Sequence, residues 1–581
     1  MNIASIGFYV AISVIGQFTS DETSALRREL RSKDVDTQLD ALGRIGDLGK
    51  EAAGLVPELE KLAARGDNDL AVRQESIWML GRMGRAANSS TKTLVGIMDD
   101  PKGANLLKLS AINAIRQIDV PATDAREPLL TALNDDELKF AAAWTLVSID
   151  PASRSNEELI GIFLNAIADP HTSTLQAEEA GLALAVVGNK TLEPLTKLLA
   201  KKNPTIRSRA CEAISAMGPD AADAVDSLLG LLDDEPAVSR QAARALAEIG
   251  SNADTVLPAL ANQLNHEDAG VRASAADAIG RYAESTTLPA EIISQLGAAL
   301  DDSSSGVAVQ AARTLERVGP AALPELAKKL DSEESRALAA AVIGQIGEAI
   351  EGKGRELEAI VPKLAALIDA KLASGDGSIL PDPTTRDEVL RALASLAPSV
   401  RKAPESVVAK LYEVVQDEKY QGRAVAAVAL AQIAGKDAVP VLKKAAEDPN
   451  DKWLRMTSSI ALLQLEGKNP QIVADVIPRL LKALEEGDSP ASLRQNILSA
   501  IGELGEEGLP EISVKDVKGL VDMLRDDDPQ VRVSAIELLA KWGKQVGPFG
   551  RPIILAALRV ARNDSHPDVR TAAENALEEL E

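Results

Sequence analysis

The sequence predicts an all-α, right-handed superhelical solenoid of about sixteen helical hairpins, and three regularities predict it. A Leu or Ile recurs without exception at one place in a helical pattern: Leu42, Leu80, Ile115, Leu146, Leu184, Ile214, Leu246, Ile279, Leu315, Ile343, Leu393, Leu430, Leu462, Ile501, Leu539 and Leu577. Seven residues earlier stands a basic anchor in twelve of the sixteen: Arg73, Lys108, Lys139, Arg207, Arg272, Arg336, Arg386, Arg423, Arg455, Arg494, Arg532 and Arg570. Val35, Ala177, Ser239 and Ala308 fill the other four slots. Third, a small residue follows the anchor by three (Ser76, Ala111, Ala142, Ala210, Ala275, Ala535) and an apolar one by ten (Met83, Ile118, Val187, Ile249, Val318, Leu504, Trp542). Positions three, seven and ten share one helix face and are expected to form a buried stripe. Anchors mostly lie 30 to 39 residues apart, the period of stacked helical hairpins.

In chain order, residues 1–20 come first, an apolar segment with no charge from 3 to 18. It reads as a secretory signal, which would export the protein to a periplasm or the outside, with an apolar capping helix as the alternative; no Lys or Arg precedes it, and it is short for a membrane span. Residues 21–350 are repeats. A first helix recurs in which a Pro is followed within two residues by Leu, as at Pro57, Pro194, Pro258 and Pro324. An Asp-rich turn follows, then a second helix whose start is marked by Pro170, Pro204, Pro236, Pro449, Pro529 or Pro567, where a missing N–H is tolerated. Asp169, Asn203, Asp448 and Asp528 are placed to cap these helices. Residues 351–385 form a longer repeat: Arg336 and Arg386 are 50 residues apart, and the surplus includes a Gly/Pro/Ser/Asp-rich loop, read as a tolerated insertion, with a hinge or recognition loop as the alternative. Residues 386–581 return to the regular repeat.

Composition narrows the function. The 581 residues carry a net charge of −24, which disfavours nucleic-acid phosphates and anionic membrane surfaces. Four Trp, four Tyr and five Phe against 45% hydrophobic content leave a core of Ala, Leu, Ile and Val, suited to thin layers between paired helices. The one cysteine, Cys211, excludes an intrachain disulfide and reads as a small buried side chain in an Ala-rich helix. Paired acids such as Asp99 and Asp100, Asp233 and Asp234, or Asp526 to Asp528 precede second helices, where capping and the helix dipole account for them, and no calcium loop follows. No metal and no cofactor is expected.

The segments 271–280, 531–539 and 569–577, each Val-Arg followed by small residues and a Leu or Ile, resemble the HEAT repeat, particularly the HEAT-like form of phycobilisome bilin lyases. The resemblance covers about residues 30 to 581 and is specific for fold, while its members include scaffolds, adaptors, regulatory subunits and some enzymes. It implies that the anchoring Arg bonds to acidic groups of the turns and neighbouring repeats, which makes the twelve anchors structural. Diiron deoxyhypusine hydroxylase, a similar chain, needs several His-Glu pairs; here only His171, His266 and His566 occur, and of these only His266 precedes a Glu. Bilin lyases share the repeat, yet no catalytic constellation is visible here.

Positions one, five and nine after each anchor lie opposite the buried set and would line the partner-facing side. Near the N-terminus they hold Trp78, Phe140 and Trp144; in the middle they turn basic, with Arg240, Arg244, Arg281, Arg313, Arg317 and Arg391, interspersed with acids that argue for an ion-pair network as the alternative. The expectation is a non-catalytic scaffold or adaptor that binds a protein or extended peptide in a groove, with aromatic contacts at one end and acidic groups near the arginines. An enzyme or enzyme subunit related to bilin lyases or the diiron hydroxylase, and a structural spacer, are the rival readings.

Overall fold

The short polar residues before each second helix set where the helices begin. Asp69 accepts a hydrogen bond from the Ala71 amide, Asn203 from Thr205, Asp268 from Val271 and Asp528 from Gln530 and Val531, each satisfying an N–H that has no intrahelical partner. Two of the expected caps shift by one turn. Asp169 accepts from the His171 amide within the turn and leaves the capping of the next helix to Ser173; Asp448 binds the Asn450 and Asp451 amides, and Asp451 is the cap. Pro204, Pro236 and Pro529 occupy first-turn positions. Second helices stop at glycines with positive φ, as at Gly218 (φ 56) and Gly319 (φ 70), each followed by a Pro that starts the next short turn.

The computed structural model describes residues 20–119, 123–349, 355–373, 379–381, 383–397, 403–420, 422–485, 489–504, 514–544, 546 and 549–580. The signal or capping reading of segment 1–20 falls outside them save for Ser20, as do Gly352 to Gly354 and residues 374–378 of the long repeat. These residues build two compact units.

The first unit, residues 20–292, alternates first helices α1 (Ser20–Leu30), α3 (Val56–Ala64), α5 (Thr91–Met98), α7 (Arg126–Ala132), α9 (Glu157–Ala168), α11 (Leu192–Leu199), α13 (Val225–Leu229) and α15 (Ala253–Gln263) with second helices. The second helices are α2 (Val35–Leu48), α4 (Leu70–Arg82), α6 (Asn105–Ile118), α8 (Lys139–Ile149), α10 (Thr174–Val187), α12 (Pro204–Met217), α14 (Pro236–Ile249) and α16 (Ala269–Ala283). Each second helix packs on its own first helix, and those from α2 to α14 also pack on the second helix of the next repeat, giving two layers. Small residues let backbones approach: a Cβ on Gly81 of α4 would sit 3.0 Å from Ala114 Cα of α6.

In the second unit, residues 293–581, the same alternation continues from α17 (Ala290–Ala298), whose N-terminal part belongs to the first unit. It runs through α18 (Ser305–Val318), α19 (Leu323–Lys329), α20 (Arg336–Ala349), α21 (Arg355–Ala366), α22 (Pro383–Leu396), α23 (Glu405–Gln416), α24 (Arg423–Ala434), α25 (Val439–Ala445) and α26 (Lys452–Glu466). The last are α27 (Pro470–Glu485), α28 (Ala491–Gly502), α29 (Val514–Asp522), α30 (Pro529–Gly543), α31 (Arg551–Ala561) and α32 (Pro567–Leu580). Among the described residues the architecture is all-α apart from one feature that the Gly/Pro pattern did not reveal. Within the long repeat, β1 (Lys371–Ala373) pairs antiparallel with β2 (Ile379–Pro381), Leu372 opposite Leu380. The insertion does not interrupt the layer of second helices, since a Cβ on Gly344 of α20 would lie 3.0 Å from Ala392 Cα of α22.

The core is the stripe that the repeat dictates. All sixteen Leu or Ile residues at position seven are buried, none more than 6% exposed. Burying one such side chain stabilises by about 1.5–3 kcal/mol, so the invariant position carries much of the cohesion between layers. Ser76, Ala111, Ala142, Ala210, Ala275 and Ala535 are fully buried at position three. Position ten is less uniform: Met83, Ile118, Ile249 and Trp542 are buried, whereas Val187, Val318 and Leu504 are half-buried. Cys211 is fully buried, and burial pushes its thiol up to about 12, which keeps it unreactive.

Candidate partner-binding face

The anchors point into the turns. Arg207 donates to both carboxylate oxygens of Asp234 at 2.7 and 2.6 Å and to the Lys201 and Lys202 carbonyls, which ties its own turn to that of the next repeat. Arg423 binds the Val415 carbonyl and Asp448, Arg494 binds Asp526, and Arg532 binds the Asp526 carbonyl and Asp564. Burial works to raise the carboxyls of Asp234, Asp448 and Asp564, yet hydrogen bonds from Arg207, Arg423 and Arg532 and from turn amides hold all three below the ordinary value. Arg73, Arg272, Arg455 and Arg570 donate to carbonyls of their own turns: Ala63, His266, Asp448 and Asp564. Arg336 and Arg386 bind the long repeat at the Lys371 and Ile368 carbonyls, and Arg386 also lies 4.2 Å from the Tyr420 ring centroid. The side chains of Lys108 and Lys139 have no hydrogen-bond or ion-pair partner among the described residues.

With the anchors turned into the stack, positions one, five and nine of successive second helices face outward together. In the first unit they line two grooves that meet at α10. The first, about 720 Å³, runs over α4, α6, α8 and α10, and the three aromatics Trp78, Phe140 and Trp144 all reach it. Their exposure differs. Trp78 is 45% exposed with the Arg82 guanidinium 4.9 Å from its ring centroid, and Phe140 is half-buried edge-on to Phe163. Trp144, expected on the open stripe, is only 8% exposed. The reason is local: Arg116 of α6 reaches toward Glu179 of α10 at 3.7 Å, and its guanidinium, 5.3 Å from the ring centroid, covers Trp144. Trp144 is thus floor rather than rim. Burial depresses the Arg116 guanidinium, and Glu179 only partly offsets this.

The second groove, about 660 Å³, lies over α10, α12 and α14 and holds Glu178, Leu182, Glu212, Arg244 and Glu248. On α10, Leu175 (68% exposed) and Leu182 (52%) are two turns apart and form an apolar ridge between the grooves. Glu75 in the first groove and Glu212 in the second are both shifted upward, in each case chiefly by burial; for Glu212 the neighbouring Glu178 adds to it. Sequence reasoning missed Arg116, Glu179, Leu175 and Leu182. The absent basic anchor at Ala177, followed by Leu182 and Val186 at positions five and nine, was the available signal.

Most arginines of the basic stripe are engaged within the chain. Arg240 meets Asp268 at 3.4 Å, Arg281 meets Glu248 at 2.8 Å, and Arg391 meets Glu388 at 2.5 Å; Arg317 also has an interaction within the chain. Arg244 and Arg313 are exposed and make no ion pair among the described residues. Nor do any three His, Cys, Asp or Glu among those residues converge in a metal-binding geometry.

Residues 162–241, 225–290 and 378–464 match a family model described as HEAT repeats. The uncharacterized phycocyanin operon protein Z of Pseudanabaena tenuis is 29% identical over 181 residues, covering 30% of this chain and 88% of that protein. Among solved structures, the Kap95:Nup1 complex gives a TM-score of 0.52 at 15% identity, covering 96% of this chain and 80% of that one. Importin beta crystallised in polyethylene glycol gives 0.50 at 15% identity, covering 97% and 87%. At such identities the likeness is one of fold.

Proposed function

We propose that this chain, a HEAT-repeat protein, is a non-catalytic scaffold that binds a protein or an extended peptide on the second-helix face, chiefly over α4 to α14. The observation that carries the reading is the exposed apolar ridge of Leu175 and Leu182 between two grooves on one face of the first unit, with exposed Trp78 lining the first of them. Large exposed side chains grouped beside a concavity are what an interface anchor looks like before its partner arrives. Affinity would come from modest contributions of several repeats, each presenting positions one, five and nine. In the second unit, exposed Arg313 can receive an acidic group of a partner without breaking an ion pair among the described residues.

Crosslinking capture from the native cell tests this, with two variants beside the native chain. Trp78→Ala combined with Leu175→Ser and Leu182→Ser is expected to lose the partners that the native chain retains, with helix content unchanged. Arg244, Arg313 and Arg317 changed to Glu are expected to weaken retention less, because most of the apolar contact remains. Equal recovery by all three proteins would overturn the proposal.

A further inference from the structure

The two grooves are acidic as well as apolar. Glu75, Glu137 and Glu179 line the first against Arg116, and Glu178, Glu212 and Glu248 line the second against Arg244. Ion pairs with basic groups account for Glu179, through Arg116, and Glu248, through Arg281. Glu75, Glu137, Glu178 and Glu212 make no ion pair among the described residues, although Arg82 stands near Glu75, and Arg209 and Arg244 near Glu212. Arg82 lies against Trp78 and Arg209 donates to the Asp169 and Thr172 carbonyls, while Arg244 attracts Glu212 without closing an ion pair with it. Half-buried carboxylates with no close ion pair are poorly solvated, and the upward shifts of Glu75 and Glu212 show burial outweighing the attraction of the nearby arginines. A cation brought in by a partner would remove it.

We propose that the face from α4 to α14 binds a basic amphipathic polypeptide segment, which sets apolar side chains on Trp78, Leu175 and Leu182 and directs Lys or Arg side chains to Glu75, Glu178 and Glu212. The inference rests on the reading of this face as the partner surface and adds the chemistry of the partner. Helices pack about 8–10 Å apart, so the six second helices from α4 to α14 span roughly 40–50 Å. An extended segment of about fourteen residues covers that length. Charge complementarity places its cations, and the apolar ridge distinguishes it from a merely polybasic chain attracted by the overall negative charge.

The test uses the full chain and fluorescein-labelled peptides of about fourteen residues. One alternates Leu or Phe with Lys or Arg, a second replaces the basic residues by Glu, and a third replaces the apolar residues by Ser. Fluorescence anisotropy is expected to give binding of the first at least about tenfold tighter than of the other two. Glu75→Gln with Glu178→Gln and Glu212→Gln should weaken it about tenfold and flatten its salt dependence. Glu574→Gln with Glu578→Gln, on the exposed side of α32, should leave it unchanged. Equal binding of the acidic or the polar peptide, or equal loss in the two Gln variants, would overturn the proposal. Should Trp78→Ala with Leu175→Ser and Leu182→Ser lose the native partners while the groove Gln variant keeps them, the cationic assignment falls and the partner face stands. Should both retain them, both readings fall.

Discussion

The repeats around Lys108, Lys139 and Ala177 and those around Arg423, Arg494 and Arg532 use one hairpin for different ends. In the later set the anchor is sunk into the turns: Arg423 and Arg532 are 6% and 9% exposed, and Asp448, Asp526 and Asp564 take their guanidinium groups. In the earlier set Lys108 and Lys139 hold no acid and Ala177 cannot. There the outward face carries Leu175 and Leu182 exposed beside carboxylates that make no ion pair among the described residues, with Trp78 exposed on the repeat before them. The difference teaches that the ladder is one way to join repeats and can be relinquished. Around α8 the joining is done instead by Arg116, which passes over Trp144 to Glu179.

Trp144→Ala should break the earlier set most severely, because it empties the floor of the groove and removes the ring beneath Arg116. A loss of about 3–5 kcal/mol is expected for a buried Trp, read as local opening of α6 to α10 by hydrogen exchange. Trp78→Ala, by contrast, should cost little stability. Next comes the ladder: Arg532→Ala leaves half-buried Asp564 without its guanidinium partner and should destabilise the second unit by about 2 kcal/mol. Lys139→Ala should stay within about 0.5 kcal/mol, and an equal loss at both sites, measured by denaturant titration, would erase the contrast.

Acid should separate the two sets more gently. Asp448 and Asp564 have folded values below the ordinary one, so each contributes stability that is complete above about pH 4 and lost as the pH falls through the folded value. Hydrogen exchange between neutral and strongly acid pH should therefore show the ladder repeats losing protection, and Asp448→Asn with Asp564→Asn should lower protection at neutral pH while removing much of that acid dependence. The smallest effect has the opposite sign. Glu75 and Glu212 are shifted upward, so their charged forms oppose folding at neutral pH, and Glu75→Gln or Glu212→Gln should leave the melting temperature unchanged or raise it. A clear fall in melting temperature would mean that these carboxylates are already paired.

Much of the fold was legible because a repeat states the same physical requirement many times. A Leu or Ile at position seven has one role, to be buried between two helices, and all sixteen are. The hairpin of β1 and β2 was illegible for the complementary reason: it occurs once, in a Gly- and Pro-rich stretch whose composition fits a loop equally well. The outward assignment of positions one, five and nine followed from helical spacing, yet spacing could not tell that Arg116 of the preceding repeat covers Trp144.

By itself, the sequence determined the helical period, the buried stripe, the turn boundaries and the acidic balance, all of which depend on residues close in the chain or on sums over it. Only the tertiary structure decided which anchors find a carboxylate, that Arg116 and Glu179 meet across α8, and that Leu175 and Leu182 stand between two acidic grooves. These depend on distances between helices of different repeats. Such distances follow from how small side chains such as Gly81 let two backbones close together, a property of the packed pair that neither helix carries alone.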